Sequence, residues 1–303
     1  LGLRTEPWPL QVITYNAALM VWPAPYFADS AFRPLAVDEF RSRIEAERPD
    51  VVGLCEVFKN EEREDLADRL RALYPHQMAG PDENDPHSDG GLLLLSRHPI
   101  TSATASIYRA AFGEDALTNK GVLHMRIAPP GMSQVDLFFT HTQNQDTKVG
   151  SGRDALRQQL SGLGAFIAAV RDPEIPALLF GDLNFAALDT ELYTEAMTYL
   201  APSIDLWTAQ RSIPSPENTS VGSSSRLDYV LLYPGFARMP IMSQMEILQW
   251  TRDGQNISDH YGVRARFDQM LVMDPGDGPV SGVSVRILSV HCHKVTTGGG
   301  DDD

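Results

Sequence analysis

Eight short apolar runs, at residues 10–15, 51–55, 91–96, 121–127, 135–141, 177–180, 227–233 and 262–267, recur along the chain, rich in β-branched side chains and bounded by turn-forming residues. Runs of this length and make-up form buried strands. Between them, residues 37–47, 61–73, 155–171 and 188–196 repeat apolar positions every three or four residues, the spacing of amphipathic helices. Runs 121–127 and 135–141 are joined through Pro129-Pro130-Gly131, which reads as a hairpin. Strands, helices and a hairpin together predict an α+β protein, a layered sandwich rather than a strictly alternating parallel sheet.

At 303 residues and 43% apolar side chains, the chain can enclose a large core. Charged residues make up an ordinary 21%, which argues against wholesale disorder. The 40 acidic against 25 basic residues give a net charge of -15, which opposes backbone-driven attraction to nucleic acid. No run reaches the roughly 18 apolar residues of a membrane span, and Leu1-Gly2-Leu3-Arg4-Thr5 has no apolar stretch of signal-peptide length. The expectation is a soluble chain, cytosolic or already processed. Cys55 and Cys292 are the two cysteines and define no disulfide framework. After Phe267, Asp274-Pro275-Gly276-Asp277-Gly278-Pro279 reads as a linker and 283–295 as one strand pattern. We therefore expect a domain over 1–268, with 269–303 as a tail that is either an added edge strand or the beginning of a truncated second module.

Chemistry-bearing residues gather at the ends of the apolar runs. Asn16 follows the first, Glu56 the second, His141 closes the fifth, Asp182 and Asn184 follow the sixth, Asp228 opens the seventh, and Asp259-His260 precede the last. Carboxylate and amide oxygens suit a hard dication such as Mg²⁺, which keeps waters that a phosphate can displace. In Phe180-Gly181-Asp182-Leu183-Asn184-Phe185, alternation puts Asp182 and Asn184 on one face and Leu183 in the core. Alone, that segment reads first as a strand-to-turn corner capped by its Asp and Asn. His291-Cys292-His293 offers only two convergent ligands on a strand and reads as structural, and Asp301-Asp302-Asp303 reads as an acidic end. Trp22, Pro23, Pro25, Tyr26 and Phe27 form an apolar loop that reads either as core or lid, or as a lipid contact.

Six motifs in one order, Ile13-Thr14-Tyr15-Asn16, Glu56-Val57, Thr140-His141-Thr142-Gln143, Gly181-Asp182-Leu183-Asn184, Arg226-Leu227-Asp228-Tyr229-Val230 and Ser258-Asp259-His260, resemble the endonuclease/exonuclease/phosphatase superfamily over about residues 8–268. The resemblance implies a four-layer α/β/β/α sandwich of two packed mixed sheets flanked by helices, and cleavage of phosphate esters with a divalent metal. Within that superfamily, the segments 50–58, Asp89-Gly90-Gly91 with Ser96-Arg97-His98-Pro99-Ile100, and Leu117-Thr118-Asn119-Lys120-Gly121 resemble the bacterial secreted neutral sphingomyelinases. Two features depart from that group. Phe112 and Val149 stand where its disulfide would be, and only Trp250 stands in the stretch matching its aromatic-tipped, membrane-entering hairpin.

The resemblance implies the following roles. Glu56 is the main metal ligand, with Asn16 and Asp259 near the ion, which is Mg²⁺ by preference with Mn²⁺, Co²⁺ or Ca²⁺ as alternatives. His260 takes the proton from the attacking water and Asp228 orients it. Asp182 and Asn184 position water and phosphate, His141 donates to a phosphoryl oxygen, and Lys120 with Asn119 contacts the substrate. It also implies a secreted enzyme working at a phospholipid membrane surface, with no nucleic-acid partner. The leading expectation is hydrolysis of sphingomyelin or a related choline phosphodiester to ceramide and phosphocholine. A nuclease or phosphoinositide phosphatase on the same fold is the alternative, and a catalytically silent lipid- or phosphate-binding module is one of a different class.

Overall fold

The computed structural model describes residues 2–20, 31–83, 87–144, 150–211, 218–222 and 225–274. The loop from Trp22 to Phe27, Val149, the strand pattern at 283–295, His291-Cys292-His293 and Asp301-Asp302-Asp303 lie outside the described residues. The described chain runs β1 (Gly2–Leu19), α1 (Phe32–Glu47), β2 (Val51–Val57), α2 (Asn60–Leu70), β3 (His76–Gly80), β4 (Leu92–Ser96), β5 (Ile100–Ile107), a 3-10 turn at Gly113–Leu117, β6 (Gly121–Ile127) and β7 (Val135–His141). It continues through α3 (Gly150–Val170), β8 (Ala177–Asp182), α4 (Thr190–Tyr199), β9 (Ile204–Asp205), α5 (Leu206–Arg211), β10 (Asp228–Tyr233), β11 (Arg238–Leu248), the small hairpin β12 (Thr251–Arg252) and β13 (Gln255–Asn256), and β14 (Gly262–Asp274).

Two six-stranded mixed sheets result, one ordered β11-β14-β1-β2-β4-β3 and the other β5-β6-β7-β8-β10-β9. Alternation along each strand sorts its side chains between two apolar layers. In β2, Val51 and Cys55 face the layer between the sheets while Val52 and Leu54 face α1 and α2, packing with Phe40, Ile44 and Leu66. In β8, Leu178 and Phe180 face the inter-sheet layer while Leu179 faces α3 and α4, packing with Leu156, Leu160 and Leu192. Three apolar interfaces separate four layers, the expected α/β/β/α sandwich. The sheets touch closely at Gly53, where an added Cβ would sit 2.5 Å from the Phe139 ring.

Several boundaries differ from the sequence expectation. Strand β1 begins at Gly2 rather than near Leu10, although Pro7 and Pro9 interrupt it. Its first half pairs only with β14, its pairing with β2 begins at Val12, and its register shifts between Pro7 and Leu10, so neither proline breaks a two-sided ladder. Strand β14 continues past Phe267 to Asp274, pairing with β1 on one side and β11 on the other. Residues 269–274, placed at the start of the tail by the sequence reading, therefore complete this strand. Trp250 is buried and stacks on Tyr15 with centroids 5.1 Å apart. The turn between β12 and β13 is Asp253-Gly254, so this hairpin presents no aromatic tip.

Candidate active site

The polar residues converge because each stands at the site end of the inward-facing row of its strand. Asn16 is in phase with Val12, His141 with Leu137 and Phe139, Asp182 with Leu178 and Phe180, and Asp228 with Val230 and Leu232, all of the inter-sheet layer except the residues named first. Register aligns them: Asp182 lies opposite His141 across the parallel β7–β8 pair and opposite Asp228 across the antiparallel β8–β10 pair. Glu56 is the exception. Simple alternation would send it toward α1, but its φ is +59°, a left-handed conformation that resets the phase, and Val57 joins the helix-side layer in its place. Asn184 is also left-handed, at φ +51°. Such strain in non-glycine residues persists only where the surroundings fix it, and it clusters at functional sites.

At the centre, His260 Nδ1 lies 2.8 Å from Asp228 Oδ2, the distance of a charge-assisted hydrogen bond. Its Nε2 faces Asp182 Oδ2 at 3.7 Å. The Asn16 amide nitrogen donates to Glu56 Oε1 (2.9 Å) and Asp182 Oδ2 (3.0 Å), while its oxygen accepts from the Ala18 N–H. In this orientation the amide nitrogen faces the carboxylates, so a ligand role for Asn16 requires the opposite turn of the amide. His141 Nε2 lies 3.7 Å from both Glu56 Oε1 and Asp182 Oδ2. Lys120 Nζ completes the cluster, 3.1 Å from His141 Nε2, 2.9 Å from the Thr142 carbonyl and 2.8 Å from Asp115 Oδ1. Because an ammonium can only donate, His141 Nε2 accepts here and its proton sits on Nδ1. In this tautomer the Nδ1 atom is buried without a hydrogen-bond partner.

Asp259 is partly exposed, and its carboxylate raises the carboxyl of Glu56 electrostatically, second to burial. Asn119 is buried beside Lys120, its backbone N–H donating to the Ser88 carbonyl at 2.7 Å. The Asn184 side chain donates to the Thr142 carbonyl (3.0 Å) and its N–H to Asp182 Oδ1 (2.9 Å), closing the corner below the site.

Residues outside the sequence expectation hold these groups. Asp115 anchors Lys120. Thr219 Oγ1 accepts from the N–H groups of Leu227 (2.9 Å) and Asp228 (3.1 Å). Ser258 Oγ donates to the Asn16 carbonyl (2.6 Å) and accepts from the His260 N–H (3.0 Å), locking the last motif to the first strand. The Gln143 amide brackets Phe112, accepting from its N–H (2.8 Å) and donating to its carbonyl (3.1 Å), in the region where the resembling group has a disulfide. Of these, Ser258 and Gln143 carried a sequence signal, as parts of Ser258-Asp259-His260 and Thr140-His141-Thr142-Gln143.

Electrostatically the site is short of positive charge. Burial pushes the Asp182 carboxyl up to about 7, opposed by His260 and reinforced by Asp228. Burial and Asp259 raise Glu56. Burial lowers His141 well below the usual imidazole range, with Lys120 adding to the effect, so it is neutral. Burial also acts to lower His260, but Asp228 and Asp182 outweigh it and hold His260 well above the usual range. Glu56, Asp182, Asp228 and Asp259 thus set four carboxylates against two cations, Lys120 and His260, and Lys120 is already paired with Asp115. Asp228 Oδ1 is buried without a hydrogen-bond partner. Hard oxygens with unmatched negative charge fit a divalent cation. Asp182, Asp228 and His260 offer atoms within 4.8 Å of one another. The 2.8 Å contact commits Asp228 to the imidazole, which leaves Glu56, Asp182 and Asp259 as the better oxygen donors.

The chain has similar proteins of known name. A sphingomyelinase C from Listeria ivanovii is 27% identical over 250 residues, 71% of this chain and 74% of its own length. A phospholipase C from Staphylococcus aureus is 25% identical over 204 residues, 60% of this chain, and the match spans 61% of that relative's length. Among solved structures, sphingomyelinase C from Streptomyces griseocarneus matches with a TM-score of 0.62 at 23% identity, over 85% of this chain and 99% of that one. D. rerio TDP2 complexed with a single-strand DNA product matches with a TM-score of 0.67 at 17% identity, over 86% and 98%. At such identities these two structures share the fold. Residues 13–260 match the Endonuclease/Exonuclease/phosphatase family, and this span carries every one of the converging side chains, so the chain belongs to that family.

Proposed function

We propose that the chain is a divalent-metal-dependent phosphodiesterase that hydrolyses sphingomyelin, or a related choline phosphodiester lipid, to a lipid alcohol and phosphocholine. One observation carries the hydrolytic reading: His260 is oriented through Nδ1 by Asp228 at 2.8 Å, and its Nε2 faces the Asp182 and Glu56 end of the cluster. That is the geometry of a base that takes a proton from water at a fixed atom. Asp228 sets the tautomer and stabilises the imidazolium that forms. Asp182, with Asn184 beside it, would hold the attacking water and a phosphoryl oxygen. Lys120, buried and multiply bonded, supplies fixed positive charge behind His141. The cation would be held by Glu56, Asp182 and Asp259, with Asn16 adjacent, and Mg²⁺ is the preferred ion. When bound it would polarise the phosphoryl oxygen and offset the carboxylate field that keeps His260 protonated.

The lipid substrate is supported by similarity to the sphingomyelinase C relatives and by the acidic balance, which disfavours a polyanionic substrate. No helix among the described residues is long and apolar enough to cross a membrane. Action at a membrane surface, and secretion, follow only from the resemblance to the bacterial enzymes. The test is release of phosphocholine from sphingomyelin micelles with Mg²⁺, and its loss with chelator. Cleavage of plasmid DNA or of a phosphoinositide in place of sphingomyelin would reassign the substrate. Inactivity on all three with Mg²⁺ bound would leave a binding module.

A further inference from the structure

Tyr229 follows Asp228 on β10 and so points away from the reaction, into the layer beneath α3 and α4. Phe185 stacks on its ring, with centroids 4.3 Å apart and planes at 29°, and the Arg226 guanidinium lies 4.2 Å from its centroid. Two groups at such distances must occupy opposite faces, so the ring is held between them. The tyrosine hydroxyl lies 2.7 Å from the Phe185 carbonyl and 3.3 Å from the Arg226 carbonyl. One hydroxyl thereby joins the chain just after Asn184 to the chain just before Asp228. Backbone bonds run in parallel, from the Leu183 N–H to the Leu227 carbonyl (3.0 Å) and from the Ala187 N–H to the Arg226 carbonyl (3.2 Å).

Arg226 is fully buried and pairs with Asp205 through its two terminal nitrogens, at 2.7 and 3.3 Å. Asp205 is itself fixed by the Tyr193 hydroxyl (2.9 Å), Thr208 Oγ1 (2.9 Å) and the Trp207 N–H (3.1 Å). This cluster touches none of the converging site atoms, yet it adjoins the left-handed Asn184. A strained corner keeps its shape only if something outside it fixes that shape. The carbonyl held by Tyr229 belongs to the residue immediately after the strained one.

We propose that Tyr229, backed by Arg226 and Asp205, is a positioning residue that sets the Asp182–Asn184 corner against Asp228, and through Asp228 the placement of His260. Its meaning for turnover rests on the phosphodiesterase reading above. Misplacement of a reacting group by about 1 Å can cost on the order of 10²-fold in rate, and loss of one hydroxyl tie should cost part of that.

The test compares Tyr229→Phe with Tyr233→Phe, both on β10 and both buried, the second at the end of the strand away from the site. Tyr229→Phe keeps the ring stack and removes only the hydroxyl. On sphingomyelin micelles with Mg²⁺ we expect its kcat to fall about tenfold with KM little changed, while Tyr233→Phe turns over like the unaltered protein. Independently of any substrate, the ring N–H proton of His260, identified in NMR spectra by its loss in His260→Ala, should shift or broaden in Tyr229→Phe and stay in place in Tyr233→Phe. Equal falls in melting temperature for the two variants, with kcat and the His260 proton unmoved in Tyr229→Phe, would overturn the proposal. If the unaltered protein cleaves no phosphodiester, the functional reading fails, and the His260 proton still decides the positioning role.

Discussion

Strands β7 and β8 carry a buried carboxylate at each end of their pairing, and the two are treated oppositely. At the end where β7 begins, Asp136 is fully buried but accepts from Arg126 Nε (2.7 Å) and Nη2 (2.8 Å) and lies 2.8 Å from His124 Nε2. Burial acts to raise its carboxyl, but these partners outweigh it and hold it below the usual range. At the end where β8 stops, Asp182 is equally buried and receives only neutral donors directly, the Asn16 amide and the Asn184 N–H, with His260 at 3.7 Å. Burial there is only partly offset, by His260 and the Asn16 amide, and the carboxyl rises to about 7. The same strands thus contain an acid that is satisfied by the protein and one that is left for something else to satisfy. A stable fold needs the first kind, and a site that must take up a cation and a phosphate needs the second.

The comparison breaks most sharply if one member of the buried charged cluster is removed at each end. His260→Ala should lower turnover of sphingomyelin by about 10²-fold to 10⁴-fold, the usual cost of a lost general base, while circular dichroism shows the fold intact. Activity near that of the unaltered protein would remove His260 from the mechanism. Asp136→Ala should act in the opposite currency. It leaves the Arg126 and His124 side chains without their carboxylate, a loss of about 3–5 kcal/mol for one partner of a buried pair. The melting temperature should fall by roughly 10 °C, with kcat retained in the protein that stays folded. A drop in kcat without a drop in stability would mean that the two ends are not separate.

The division of labour between these ends was only partly legible in the residues. Arg126 and Asp136 sit within apolar runs whose alternation marks them as strands, but the sequence does not say that they lie opposite each other; that depends on the hairpin register, where Arg126 faces Asp136. The candidate-site end was more legible, because Asn16, His141, Asp182 and Asp228 all end or begin apolar runs, and phase plus register suffices to bring them together. Glu56 is placed by its backbone rather than by its phase, since nothing in Leu54-Cys55-Glu56-Val57 announces a left-handed residue. Strand β5 carries no such signal, because its exposed residues are small threonine, serine and alanine side chains with no apolar alternation to read. Asp115 is hidden for a different reason. It lies in a short 3-10 turn, and only the fold shows that it meets Lys120.

The smallest expected effect sharpens the comparison through pH. A carboxyl raised in the folded state binds protons that the unfolded chain has already released, so its contribution to stability is present in acid and is lost as pH rises through the folded value. For Asp182 that window runs from the usual carboxylate range up to about 7. Asp136 is lowered, so its contribution is present above the usual range and is lost only as pH falls through its depressed value. With chelator present, Asp182→Asn should therefore melt higher than the unaltered protein at pH 8, by an amount on the order of 1–3 kcal/mol or a few degrees. The two should converge near pH 4, where both side chains are neutral. Saturating Mg²⁺ should reverse the order at pH 8, because the cation binds more tightly to, and so stabilises more, the protein that retains all three carboxylates. If Asp182→Asn were instead the less stable at pH 8 in chelator, Asp182 would be a satisfied structural acid like Asp136, and the contrast between the two ends of these strands would collapse.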